Sequence, residues 1–109
     1  MAVTPYIFDG GALTASAAVQ GAAVPANTRR VIKAMTITNT TAAPVQATVY
    51  LVPSGASPAA ANTIISARAI AAGEDYPCPS AINQGINANG SVYAVGNGLT
   101  FKYTAVDFV

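Results

Sequence analysis

The chain has 109 residues, 52% of them hydrophobic and 8% charged, with five Lys and Arg, four Asp and Glu, and no His. This length suits one domain that buries roughly 65% of its unfolded surface, and the lack of His removes the commonest general base and transition-metal ligand, excluding His-based triads. A formal charge of +1 offers no clustered cations for nucleic-acid phosphates, and charge well below the roughly 25% usual in soluble domains points to faces covered by neighbours.

Residues 1–11 (MAVTPYIFDGG) form an aromatic-bearing N-terminal arm with Tyr6 and Phe8, closed by the turn signal Asp9-Gly10-Gly11. The arm reads as an edge strand or a tether, and residues 12–109 as a single β domain. It has no basic head followed by an apolar core, and no later apolar run approaches the ~18 residues of a membrane span. Synthesis in the cytoplasm without a signal peptide, and no membrane partner, are therefore expected. Residues 12–19 make a thin strand, followed by a loop through Gly21 and Pro25. Arg29, Arg30 and Lys33 are the one local concentration of positive charge, suited to an acidic partner surface or a solvated strand entrance.

Residues 30–39 (RVIKAMTITN) and 45–52 (VQATVYLV) are two strands joined by the polar turn Thr40-Thr41-Ala42-Ala43-Pro44. In the second, Val45, Ala47, Val49 and Leu51 share the face expected to meet the core, and Gln46, Thr48 and Tyr50 share the other. In the first, the apolar residues change face partway: Ile32 and Ala34 have one parity, Met35 and Ile37 the opposite. A bulge near Lys33 reconciles the two, because one extra residue swaps the facing of everything beyond it. Asn39-Thr40-Thr41 and Asn89-Gly90-Ser91 match glycosylation sequons but read as turn chemistry.

Residues 54–61 are a loop whose Ala triplet is able to form a single helical turn, residues 64–70 a strand, and Ala71-Ala72-Gly73-Glu74 a turn. Pro77 and Pro79 have no N–H for a ladder, which puts the Tyr76 segment at a sheet edge or outside the sheet. Cys78 is the single cysteine; it has no disulfide partner within the chain and no adjacent cation to make it reactive. Asn89-Gly90 and Asn97-Gly98 are hairpin signals that predict a meander of residues 82–87, 91–95 and 99–108. Phe101, Tyr103 and Ala105 continue the parity of Leu99 until Val106 and Phe108 break it, so Phe108 either wraps onto the core or anchors a neighbour. No helical period appears. The expected architecture is all-β, an antiparallel β-sandwich or jelly-roll of about seven or eight short strands.

Chemistry is sparse. Glu74 and Asp75 diverge in an extended segment, and Asp9 and Asp107 would serve as a glycosidase-like pair only by meeting across a cleft. No phosphate-binding loop or EF-hand spacing is present. No catalytic, metal or cofactor-binding residue is expected, and the chain does not read as an enzyme. Tyr6, Tyr50, Tyr76, Tyr93 and Tyr103 read as strand fillers with polar rims, or as platforms for sugar rings or bases. Tyr6, Phe8, Arg29, Arg30 and Phe108 are the candidate protein-interface residues.

Val24-Pro25-Ala26-Asn27-Thr28, the strand at 31–38, the Asn39-Thr40-Thr41 turn, the strand ending in Val52-Pro53-Ser54-Gly55 and the Ala72-Gly73-Glu74 turn resemble a group of small tailed-bacteriophage virion proteins over residues 24–74. The resemblance implies a β-sandwich structural protein located in the virion. Its implied role is capsid decoration or cement, docking as a homo-oligomer on the major capsid protein or other virion proteins and stabilising the shell. The alternatives are a neck or tail accessory protein and a glycan-binding adhesive module of a fibre. With residues 1–11 as a docking tether, their deletion is expected to weaken docking and spare the fold.

Overall fold

Leu99, Phe101, Tyr103 and Ala105 alternate with Thr100, Lys102 and Thr104, and that period of two makes β9 (Leu99–Phe108) a strand with one buried face. The computed structural model describes residues 2–109, and among them nine strands form two antiparallel sheets. The others are β1 (Val3–Ala12), β2 (Ala18–Val19), β3 (Arg29–Asn39), β4 (Val45–Val52), β5 (Thr63–Ile70), β6 (Asp75–Tyr76), β7 (Gly85–Ile86) and β8 (Ser91–Val95). The front sheet runs β1-β9-β3-β6, with β7 also on β3, and the back sheet runs β2-β8-β4-β5. The pairs β4·β5, β3·β6, β2·β8 and β1·β9 trace one long hairpin rolled into two layers, the connectivity of a jelly-roll. The all-β sandwich expected from the sequence is what the chain adopts.

The core lies between the layers. Ile32, Met35, Ile37, Leu99 and Phe101 of the front sheet meet Val49, Ile65, Ile70 and Val92 of the back sheet. The bulge expected near Lys33 is present: Ile32 faces Ala105 and Ala34 faces Thr104, so Lys33 is the extra residue and the buried parity switches from Ile32 to Met35. The Ala triplet supplies one short 3-10 turn, Ala60–Asn62, and β6 is a two-residue sheet edge ahead of Pro77, as the prolines required.

The layering corrects one expectation and decides a turn that the sequence left open. The strands β3 and β4 do not share a sheet, and the turn between them crosses from front to back. Asn39, wholly buried, clamps that crossing: its Nδ2 donates to the carbonyls of Ala43 and Ile70, both at 2.9 Å, and its Oδ1 accepts from Thr41 N at 2.9 Å and Thr41 Oγ1 at 2.6 Å. The C-terminal strands likewise make no meander, since β7 joins the front sheet, β8 the back and β9 the front. A type I′ hairpin needs positive φ at both central residues. Here only Asn89 (φ 66°) and Gly98 (φ 93°) have it, each at the third position of a turn closed by Gly90 N to Asn87 O and by Leu99 N to Gly96 O. Those turns, each with one residue at positive φ, redirect the chain between layers.

Residues 2–11 are not a tether. Val3–Ala12 pairs with β9 along its length as an edge strand, and Asp9-Gly10 is a bulge in it, not a closing turn, with register slipping between Phe8 and Gly11. Met1 lies outside the described residues. The alternation that sends Ile7 outward sends Tyr6 and Phe8 inward, where they cover Phe101 and Tyr103. Deleting residues 1–11 is therefore expected to lower stability by several kcal/mol, at roughly 1.5–3 kcal/mol per large apolar side chain buried. Urea titration of the truncated and full chains measures this, and equal midpoints would contradict it.

Every long edge is blunted against strand addition. Pro5 contributes no N–H along β1, and the Asp9-Gly10 bulge bends it. On the other layer, β5 bulges opposite Thr48, with Ala67 at φ 45° donating its N–H to Thr48 Oγ1 at 3.0 Å.

Candidate functional site

The parity that buries Ile32 also buries Arg30, two residues earlier and ahead of the bulge. Arg30 is 2% exposed and holds Asp107 with two hydrogen bonds, Nε to Oδ1 at 2.7 Å and Nη2 to Oδ2 at 3.0 Å. Its Nη1 donates to Ala22 O at 2.7 Å, and the guanidinium lies 3.7 Å from the centre of the Tyr6 ring. Burial works against its charge, but the hydrogen bonds and field of Asp107 outweigh it, and the pKa lies above the ordinary arginine value. Tyr6 Oη accepts from Ala22 N at 2.6 Å, and Tyr103 Oη donates to Gln20 O at 2.7 Å. Gly21 lies between the two hydroxyls at φ +83°; a Cβ there would sit 2.6 Å from both, so the position requires glycine. The cluster ties β1, β3, β9 and the loop after β2 together with its polar atoms satisfied internally.

Three of the five candidate interface residues thus point inward, Tyr6 and Phe8 half-buried and Arg30 buried. Tyr6 and Phe8 pack on the core, the Phe8 and Tyr103 rings lying 5.4 Å apart, and Arg30 is paired with Asp107. Arg29 and Phe108 remain on the surface, side by side in register with Val3 on the outer face of the front sheet. The next rows of that face are Pro5, Val106 and Val31, then Ile7, Thr104 and Ala34. Val3 and Ile7 are 58% and 60% exposed, the most open large apolar side chains of this face, while Phe108, Val106 and Val31 are half-buried. The face is therefore an apolar strip on three adjacent strands. Sequence reasoning missed Val3, Pro5, Ile7, Val31 and Val106 as a group; the apolar residues at outward positions 106 and 108 were its trace in the sequence.

Arg29 and Lys33 border this strip. Lys33 Nζ reaches only the neutral Asn83 Oδ1 at 3.4 Å, and among the described residues the one ion pair is Arg30–Asp107. A shallow depression of about 390 Å³ continues the face beyond Ile7, with Asp9 and Lys102 in its lining. A second, of about 360 Å³, opens at the sandwich end between Pro53 and Gln84, and its lining holds three amides and the Thr63 hydroxyl but no ionisable side chain.

On the opposite surface, Tyr93 and Tyr50 are cross-strand partners on the outer face of the back sheet, flanked by the exposed Val19 and by Thr63. Asp9 and Asp107 do not converge: Asp107 pairs with Thr4 near the start of β1 and is held by Arg30, while Asp9 sits in the bulge at the far end. Among the described residues no group of three or more His, Cys, Asp or Glu is arranged to hold a metal ion.

Cys78 is fully buried, its Sγ donating to Tyr76 O at 3.5 Å, and burial pushes the thiol from 9.0 up to about 12, against a smaller opposing pull from the backbone of Ile37. Burial, helped by the neighbouring Tyr6, also raises the Tyr103 hydroxyl, while Arg30 works the other way. Both groups prefer their neutral forms when folded. The stability they contribute is whole below their unfolded pKa values and is lost as pH rises toward the folded ones. For Cys78 that window runs from about 9 to about 12. Denaturant titrations across it should show falling stability, less steeply in Cys78→Ala, and thiol-directed reagents should label the native protein at the rate of its unfolding. Rapid labelling of native protein would contradict the burial.

No family model, curated protein or solved structure matches the chain.

Proposed function

We propose that the protein is a structural component of a tailed-phage virion, a decoration or cement protein that docks on the capsid shell and stabilises it. The observation that carries this reading is the outward apolar strip on β1, β9 and β3, on a sandwich whose buried side-chain polar atoms are, among the described residues, satisfied within the fold. Covering such a strip is worth roughly 25 cal/mol per Å², a small gain per copy that accumulates when copies repeat over a shell. Jelly-roll sandwiches serve in viral capsids and also in lectins, so the fold is compatible with the role without specifying it. Particles lacking the protein are expected to release DNA at lower temperature, and purified protein to rebind expanded shells. Particle stability indifferent to the protein would end this reading.

The second reading, a glycan-binding module of a fibre, is favoured by the Tyr50–Tyr93 pair on the back sheet. In that case soluble protein competes with phage adsorption, and Tyr93→Ala abolishes the competition.

A further inference from the structure

The outer face of the front sheet has a polarity that says what covers it. Val3, Ile7, Val106 and Phe108 form its apolar centre, and among the described residues Arg29 and Lys33 stand along its β3 side without a carboxylate partner. Asp107, between Val106 and Phe108, is held inside by Arg30. The cations are therefore available to an incoming carboxylate.

A second copy is a poor fit. Three strands at ~4.8 Å spacing and the run from Val3 to Ile7 at ~3.4 Å per residue give a face roughly 10 Å by 14 Å, on the order of a few hundred Å² at most. Stable pairs bury about 800 Å² per partner. Strand addition at the rim is opposed as well, by Pro5 and by the Asp9-Gly10 bulge. The area instead matches a short extended segment laid across the face.

We infer that this face docks an apolar segment bearing carboxylates, presented by a partner protein, with the apolar side chains seated on Val3, Ile7, Val106 and Phe108 and the carboxylates on Arg29 and Lys33. The inference rests on the virion reading only for where that segment comes from, a shell subunit. Each site is weak alone, and the shell makes it effective by repetition.

The probe is a short synthetic peptide of a valine block followed by glutamates, and its valine–lysine counterpart, titrated into the isotope-labelled full chain. Amide shifts confined to β1, β9 and the first half of β3, from the acidic peptide alone, are expected. The Arg29→Glu, Lys33→Glu double variant should bind the acidic peptide about tenfold more weakly, and Ile7→Ser should weaken it while leaving the melting temperature in place. Equal responses to both peptides, shifts mapping to the back sheet, or a dimer in sedimentation that Ile7→Ser dissolves would each overturn the inference. Shell rebinding separates it from the broader reading. Wild-type protein that ignores shells but binds the acidic peptide here removes the virion role and keeps the face; a charge-reversed variant that still rebinds shells fully removes the face and keeps the role.

Discussion

Arg30→Met is expected to destabilise the protein by about 3–5 kcal/mol, the usual consequence of leaving one member of a buried ion pair alone. Asp107, its side chain only 13% exposed, would lose its partner, Ala22 O its donor, and the Tyr6 ring its cation. Set against a total stability of about 5–15 kcal/mol, that loss unfolds much of the population at moderate temperature. The Arg30→Met, Asp107→Leu double variant should recover most of it, because apolar side chains of similar volume remove the stranded charge along with the pair. Urea titration of the single and double variants measures the coupling. A single variant within 1 kcal/mol of wild type, or a double no better than the single, would show that the pair is not what holds β3, β9 and the loop after β2 together.

Asn39→Ala should cost about 3 kcal/mol. It strips a donor from the carbonyls of Ala43 and Ile70 and an acceptor from Thr41, at a position with no access to water. The backbone of Asn39 also meets the Gly73-Glu74 turn, through Gly73 N to Asn39 O at 2.8 Å and Asn39 N to Glu74 O at 2.9 Å, so the residue links the β3–β4 and β5–β6 connections. Asn39→Asp offers a sharper test: it keeps the acceptor for Thr41 but aims a carboxylate at two carbonyl oxygens. Its stability should be at least as low as that of the alanine variant at neutral pH, and should rise as pH falls and the carboxyl gains a proton to donate. An aspartate variant as stable as wild type at neutral pH would refute the clamp.

The longer strands were legible because alternation is a local property, whereas residues 12–19 and 82–87 yield only the end of β1 and the two-residue strands β2 and β7. The bulge at Lys33 followed from the parity conflict between Ile32 and Met35, and the inward set of β9 from Leu99, Phe101, Tyr103 and Ala105. The same logic applied to Arg30 places it inward with Ile32, but adjacency to Arg29 made it look like part of a surface charge cluster. The inward facing of Tyr6 and Phe8 was not legible for a related reason: a strand's pattern shows that two residues share a face, not which face the sheet buries.

What the sequence determined by itself was the all-β class, the longer strands and the near absence of reactive side chains, since each depends on composition or on a period of two. Tertiary structure decided the layer to which each strand belongs, the burial of Arg30 and Asn39, and the gathering of Val3, Ile7, Val106 and Phe108 into one face. Those depend on pairs far apart in the chain, such as Val3 with Phe108 and Arg30 with Asp107, and no local pattern encodes a partner that distant.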